Sequence, residues 1–248
     1  MKSNHSFDLL SCFPASAEPG KGFTSVTYSQ VAFREPESRA DQTRLMGIVT
    51  TGLETGYYVD VFRSRKERGG DKMHDYFYHN LGQTMTLTAA DGTDLNLQPT
   101  EELAFAGAHL YAYSYLYDKK VAATDQDVKV TFTIDMKDKG GDDISMNLWM
   151  KGEPEREVFT ALAPMTEGLS RTPHMPYNIK EQPTLTFVAR QHGEAWNRPF
   201  VAVYEPSTRK EPSAIQSVSY FDAEEPGLKD FAGICVESKN GRTDHISL

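Results

Sequence analysis

Alternation between apolar and polar residues runs through most of this chain and predicts a protein built from β-strands. The clearest case is the pair of segments 128–134 and 144–150, where every second residue is apolar and a Gly-Gly turn stands between them. A period of two places the apolar side chains on one face of a strand, so the pair predicts a β-hairpin. No segment of ten or more residues shows the 3.6-residue apolar period of a helix.

Further strands are predicted between stretches rich in glycine, proline and charge. They are 22–33, 45–50, 57–63, 74–79, 83–88, 110–118, 184–190, 200–204, 215–221 and 234–239. Segment 34–44 is predicted to be loop, and the proline-rich segment 153–182 a long irregular excursion. This strand content predicts one all-β domain over residues 1–248, with 1–22 as an irregular lead-in. The expected fold is a large two-sheet antiparallel β-sandwich of the supersandwich type, with few or no helices.

The composition restricts the possible partners. A hydrophobic fraction of 39% supports a sizeable core, while a net charge of −9 argues against a nucleic-acid partner. No apolar stretch approaches the length of a membrane span, and the N-terminus has no continuous apolar run typical of a signal peptide. The two cysteines, Cys12 and Cys235, could form one disulfide, but two free thiols are the favoured interpretation.

The stretch 56–80, GYYVDVFRSRKERGGDKMHDYFYHN, is the most distinctive part of the chain. Asp60 lies among aromatic residues and needs a partner if it is buried. Segment 63–72 holds five basic residues against two acidic ones. Arginine suits carboxylates and sulfates, so Arg63, Arg65 and Arg68 are candidate contacts for an anionic sugar. The favoured alternative is a solvated hairpin loop.

The same stretch holds two histidines that lie five residues apart in a predicted strand. His74 and His79 therefore face opposite sides, whereas His74 and Tyr76 share a face. A tyrosine–histidine couple can pass a proton, as a sugar β-elimination requires. Structural roles are favoured for all three residues, because buried histidines are commonly satisfied by carbonyl or carboxylate groups.

Aromatic residues provide a second set of candidate sugar contacts, because pyranose C–H groups pack against aromatic faces. Trp149 falls on the polar face of its predicted strand, and tyrosines recur at every second position from Tyr111 to Tyr117. Packing beneath a neighbouring sheet is the favoured alternative for these rings. His192 and Trp196 lie in a turn-rich segment, and for them the binding and structural interpretations are equally weighted.

Two of these segments resemble a known family. The 57–80 segment resembles the "vDvfR…GG…HDyxxHg" signature of the heparinase II/III-like polysaccharide lyases. The segment RPFVAVYEP, followed by IQSVSYF, is similar to a later segment of the same proteins, and the resemblance spans about residues 45–240. In that family a helical toroid is joined to a β-sandwich, and members cleave polysaccharides containing uronic acid, glycosaminoglycans among them, by β-elimination. The resemblance falls on the sandwich alone.

The resemblance implies a fold and a polysaccharide association but transfers no catalytic residue, metal site or cofactor, because the motifs that carry them have no counterpart here. The leading hypothesis is therefore a non-catalytic sandwich portion that braces a toroid and lines its substrate cleft, inactive by itself. It predicts an exposed apolar patch where the toroid docks. The alternative is a freestanding carbohydrate-binding module for acidic polysaccharides; a residual hypothesis uses His74 and Tyr76 as base and acid. Members of the family are usually exported, which implies a periplasmic or extracellular parent protein.

Overall fold

The structure is a computed structural model that describes residues 6–14, 25–66, 68–104, 108–166, 179, 181–223 and 231–248. Its strands are β1 Asp8–Phe13, β2 Val26–Arg34, β3 Asp41–Thr50, β4 Gly56–Arg65, β5 Met73–Asn80, β6 Thr84–Ala89, β7 Gln98–Pro99, β8 Tyr117–Ala123, β9 Val128–Ile134, β10 Ile144–Met150, β11 Arg156–Ala163, β12 Thr184–His192, β13 Ala195–Thr208, β14 Ile215–Phe221, β15 Gly233–Ser238 and β16 Thr243–Ser247. Short 3₁₀ helices cover Ala108–Tyr115 and Lys137–Lys139. The prediction of an all-β antiparallel fold is confirmed.

The chain divides into two compact units. Unit 1 comprises Met1–His74, Gln191–Glu205 and Ala214–Leu248, and unit 2 comprises Asp75–Arg190 and Pro206–Ser213. The expectation of one domain over residues 1–248 stays a prediction. Within the described residues, no helix combines the length and apolar character that crossing a bilayer requires.

Unit 1 contains a sheet in which β1, β2, β3, β4 and β13 are neighbours in that order, all antiparallel. A second sheet joins β14, β15 and β16. Alternation buries one side of each sheet: Val59 and Val61 of β4 are under 5% exposed, and Ile234 and Val236 of β15 are fully buried. The Tyr57 hydroxyl donates a 2.9 Å hydrogen bond to Asp244, which ties β4 to β16.

Unit 2 is a sandwich of antiparallel sheets. One layer contains β6, β9 and β10, and the other contains β5, β12, β11, β8 and β7 for most of their length. The inward residues are strongly apolar, with Phe132, Leu148 and Phe159 at most 1% exposed. The rings of Tyr78 and Phe132, one from each layer, lie 5.4 Å apart. The sandwich prediction is therefore confirmed in this unit.

Segment 110–118 is not the predicted strand. Most of it belongs to the 3₁₀ helix Ala108–Tyr115, and β8 begins only at Tyr117. The predicted row of phenols on one sheet face is therefore wrong. The reason is tertiary: Leu116 is buried, and the Tyr113 hydroxyl turns inward to hydrogen-bond Asp75, while Tyr111 and Tyr115 remain exposed.

Other differences concern segments predicted to be irregular. The 1–22 lead-in contains the edge strand β1, and β3 begins at Asp41, inside the predicted 34–44 loop. The 153–182 excursion contains β11, whose Val158, Phe159 and Ala161 are buried. The prolines that suggested a loop lie outside this strand, and residues 167–178 and 180 fall outside the described part. Both cysteines are free, as the favoured interpretation predicts.

Candidate functional site

One face of the large sheet in unit 1 forms a groove of about 470 Å³. It is built across strands, because Gln30 of β2 pairs with Leu45 of β3, which pairs in turn with Val61 of β4. Thr43 is opposite Arg63 in the same register. The groove is lined by Leu10, Ser11, Tyr28, Gln30, Thr43, Leu45, Val61, Arg63, Trp196, Ser247 and Leu248.

Arg63 supplies the positive charge of this groove. Its side chain is on the same face of β4 as Val61, and the residue is only 7% exposed. Nη1 donates a 2.5 Å hydrogen bond to the carbonyl oxygen of Trp196, which fixes the guanidinium against the start of β13. A charge held in a poorly solvated wall produces a stronger local field than one in bulk water.

Trp196 is held by the turn that precedes it. A Glu194 carboxylate oxygen accepts hydrogen bonds from the backbone N–H groups of Trp196 at 2.6 Å and Asn197 at 2.9 Å. Gly193 adopts a left-handed φ of 76° in the same turn. This side-chain cap closes the turn locally, so the position of the indole does not depend on a long loop.

Arg65 completes the group. Its guanidinium carbon lies 4.2 Å from the centre of the Trp196 ring, which is cation–π geometry. The structure therefore brings Trp196 together with Arg63 and Arg65, two candidates that the sequence predicted in a different segment.

The remainder of the basic segment is a structured turn. Asp71 accepts hydrogen bonds from the backbone N–H of Lys66 at 2.5 Å and pairs with His74 Nε2 at 2.7 Å. Gly69 and Gly70 provide the left-handed backbone, with φ of 89° and 74°. Arg68 is exposed at the tip of this turn. The His74 imidazole therefore contacts the carboxylate of this turn and does not line the groove.

His192 precedes the same turn. Its carbonyl oxygen accepts a 3.0 Å hydrogen bond from Arg198 Nη2. The residue is partly buried. Its backbone therefore supports the Trp196 turn, and it does not line the groove.

The remaining predicted residues belong to unit 2. Tyr76 is buried at 3% exposure. His79 hydrogen-bonds Thr186 at 2.8 Å and stacks on Phe77 at 5.9 Å; partial burial lowers the pKa of its imidazole. Trp149 is only 4% exposed. This burial agrees with the favoured interpretation, in which the ring packs inside the protein, and leaves little of the indole for a sugar to contact.

Sequence reasoning missed the β1, β2 and β3 side of the groove. Tyr28 and Gln30 alternate along β2, and the Ser11 hydroxyl donates to the Gln30 side chain at 3.3 Å. Nothing local marks these residues, since they meet Arg63 only through strand register. The resulting mixture of a cation, aromatic rings, an amide and hydroxyls is suited to an anionic, hydroxyl-rich ligand. The described residues contain no group of three side chains placed to hold a metal ion.

Comparison with known proteins gives one informative relative. No family model matches the chain. An endo-acting ulvan lyase of Formosa agariphila is 34% identical over 217 residues, which covers 84% of this chain and 24% of that protein. This chain is related to polysaccharide lyases. The relationship predicted from the sequence is confirmed, and the chain spans about a quarter of the length of the curated relative. The crystal structure of heparinase III also aligns with it over 98% of this chain and 27% of that one, at a TM-score of 0.42 and 9% identity.

Proposed function

We propose that this polysaccharide lyase-related chain is a sandwich portion that binds an acidic, uronic-acid-containing polysaccharide and supplies no catalytic group. The relative's name gives ulvan as the polysaccharide to test first. The observation that carries the proposal is the unit 1 groove, whose lining includes Arg63 and Trp196, with the guanidinium of Arg65 against the Trp196 ring. A guanidinium binds a carboxylate through its planar fork, and an indole face packs against a sugar ring.

The alternative in which the chain catalyses elimination by itself assigns the base and acid to His74 and Tyr76. Tyr76 is 3% exposed, which keeps its hydroxyl away from a polymer in solution. His74 Nε2 is 2.7 Å from Asp71 in the turn that it closes. These placements favour the non-catalytic proposal, and the unsaturated product of β-elimination offers a direct test. The purified chain should produce no ultraviolet absorbance from ulvan, and a steady rise would refute the non-catalytic part.

The outward face of the unit 1 sheet supports a second role, bracing the helical toroid of a parent enzyme. Met46, Ile48 and Tyr58 are 51%, 44% and 40% exposed. Ile48 is paired with Tyr58 across β3 and β4, and Met46 lies two residues along the same face. Contiguous exposed apolar side chains of this kind commonly mark an interface. The proposal also places the parent protein in the periplasm or outside the cell, where large polysaccharides are met.

Affinity electrophoresis in gels containing ulvan tests the binding role. The wild-type chain should be retarded, and Arg63→Met and Trp196→Ala should each weaken retardation about tenfold through loss of the ion pair or the stacking face. Tyr58→Ala is the matched control for Trp196→Ala, because it removes an exposed aromatic ring from the opposite face of the sheet. Unretarded mobility of the wild-type chain would refute the proposal, as would equal losses in the control.

The same groove would serve a freestanding carbohydrate-binding module, so the two candidates differ in the length of the native protein. An immunoblot of the producing cells separates them. A band several times larger than the 27.8 kDa chain indicates a parent enzyme, and a band at the chain's own mass indicates a module.

A further inference from the structure

Unit 2 carries a second groove, of about 460 Å³, beside the 3₁₀ helix Ala108–Tyr115. Tyr117 is one of its lining residues, and most of the others are polar or charged. The residues that line it are Pro99, Thr100, Glu101, Leu116, Tyr117, Asp118 and Lys119. An aromatic face bordered by hydrogen-bonding groups is the usual composition of a sugar-binding surface.

The segment leading into this groove exposes large rings. Tyr117 is 48% exposed, and Tyr111 and Tyr115 are each 58% exposed. Three phenol rings within seven residues present both apolar faces and hydroxyl groups to solvent. A phenol ring packs its face against the C–H groups of a sugar and offers its hydroxyl to the sugar's own hydroxyls.

Buried interactions hold this segment in place. The Tyr113 hydroxyl donates a 2.6 Å hydrogen bond to the Asp75 carboxylate. Arg190 donates two more to the same carboxylate, from Nε at 2.7 Å and from Nη2 at 2.8 Å. Arg190 also pairs with Glu102 at 3.1 Å, which links β12 to the segment between β7 and the 3₁₀ helix. The side chains of Arg190 and Asp75 are 8% and 6% exposed. The tyrosines are therefore presented on a preformed surface, which lowers the entropy cost of binding.

The groove backbone is fixed as well. The Thr100 N–H donates to the Lys119 carbonyl at 3.0 Å, and Lys119 Nζ donates to the Glu101 carbonyl at 3.2 Å. Asp118 adopts a left-handed φ of 47°, a conformation that costs energy for a residue with a Cβ. Such strained positions cluster at binding sites, where the fold maintains them.

The charges in the groove favour one class of ligand. Glu101 and Asp118 outnumber Lys119 among the lining residues, so the groove repels a polyanion and differs from the arginine-containing groove of unit 1. We propose that the Tyr117 groove binds neutral sugar residues, as a glycan-binding site separate from the unit 1 groove. Its ligand is an uncharged, hydroxyl-rich pyranose that stacks on Tyr117.

Isothermal titration of the full chain tests this site. The probes are soluble arabinoxylan, glucomannan, galactan and dextran, with polygalacturonate as the charged comparison. We expect at least one neutral polymer to bind, and the affinity to change little between about 0.05 M and about 0.5 M sodium chloride because no ion pair forms. Tyr117→Ala should lower the affinity about tenfold, and Tyr117→Phe should retain most of it.

Tyr58→Ala, an exposed tyrosine of unit 1, is the matched control and should bind as the wild type does. The proposal is overturned if no neutral polymer binds, if Tyr117→Ala binds normally, or if polygalacturonate alone binds. Arg63→Met separates the two sites: it should leave the affinity for neutral polymers unchanged. If one groove does not bind its proposed ligand, the test of the other groove is therefore unaffected.

Discussion

Arg44 and Asp60 form a two-pronged ion pair across neighbouring strands of unit 1. Nε donates to Oδ1 at 3.0 Å and Nη2 donates to Oδ2 at 2.6 Å. The pair is diagonal, since Asp60 is directly opposite Met46 and Arg44 is two residues away. The Asp60 side chain is 2% exposed and that of Arg44 is 44% exposed. One buried carboxylate is thus neutralised by an arginine that reaches it from the surface.

Removing Arg44 should therefore be costly. Arg44→Met leaves the carboxylate of Asp60 buried without this partner, and we expect a loss of roughly 2–3 kcal/mol in the free energy of unfolding, reduced from the fully buried case by the exposure of Arg44. Urea denaturation measures it. The control is Arg209→Ala, which removes the exposed 3.3 Å pair with Asp142 and should cost less than about 1 kcal/mol. Similar losses in both variants would contradict the argument.

Trp149 should contribute to the stability of the fold and not to glycan binding. The indole is buried, with Lys129 Nζ 4.9 Å from the ring centre. Trp149→Ala should therefore cost roughly 3–5 kcal/mol of unfolding free energy, and Trp149→Phe less, because a smaller cavity remains. Thermal denaturation measures both losses. Folded Trp149→Phe should bind ulvan as the wild type does; weaker binding would return this residue to the list of glycan contacts.

Gly152 is a position where only the absence of a Cβ permits the backbone path. A Cβ there would collide with the backbone of Asp125 and Gln126. Gly152→Ala should cost more than about 2 kcal/mol of unfolding free energy, because backbone atoms cannot yield as a side chain can. At Gly47 the nearest atom to a Cβ is 3.5 Å away. Gly47→Ala is therefore the matched control, expected to lie within about 1 kcal/mol of the wild type. Equal losses would refute the collision.

Asp127 makes stability depend on pH. Burial raises the pKa of its carboxyl, outweighing the hydrogen bond from the Gly152 N–H at 2.7 Å. The folded state therefore retains the proton more strongly than the unfolded state. The contribution of Asp127 to stability is fully present below the ordinary carboxyl pKa of about 4. It is lost as the pH rises through the pKa that Asp127 has in the folded protein. The side chain in Asp127→Asn stays neutral at every pH, so the stability of this variant relative to the wild type should increase as the pH rises through that range.

Asp91 provides a control of opposite sign. The hydrogen bond from the Thr93 N–H lowers the pKa of its carboxyl. Its contribution is present above the ordinary pKa and is lost as the pH falls through the folded-state value. Asp91→Asn should therefore lose stability relative to the wild type as the pH rises from the acid side. The urea midpoints of both variants, measured from about pH 3 to about pH 7 so that the range covers the ordinary carboxyl pKa values, check the two pH dependences. The same slope of stability against pH in both variants would refute the assignment.

Elements carried by local alternation could be predicted from the sequence. The β9–β10 hairpin has the register implied by its pattern, from Ile134 opposite Ile144 to Val128 opposite Met150. The need of Asp60 for a partner was also evident, because a carboxylate among aromatic residues is costly. Its partner was not, since Arg44 belongs to a segment whose polarity predicted a loop.

The tyrosine segment shows how a periodic pattern can mislead. Alternation from Tyr111 to Tyr117 predicts a strand, yet the inward hydrogen bond of Tyr113 to Asp75 and the burial of Leu116 favour a helical turn. The pattern describes which residues are aromatic, whereas the conformation follows from partners distant in sequence. Similarly, Phe159 lies in a segment whose prolines suggested a loop, yet it belongs to β11 and is fully buried in unit 2.

By itself, the amino-acid order determined that the protein is an antiparallel β fold, that it is related to polysaccharide lyases, and that Arg63, Arg65 and Trp196 are candidates for a glycan contact. Only the tertiary structure decided that Arg63 and Trp196 line one groove with Arg65 against the Trp196 ring, that Trp149 is buried, and that a second groove includes Tyr117. Alternation is a property of neighbouring residues, but the pairing of β4 with β13 joins segments far apart along the chain. Strand register, and therefore the composition of each groove, is set by that long-range pairing.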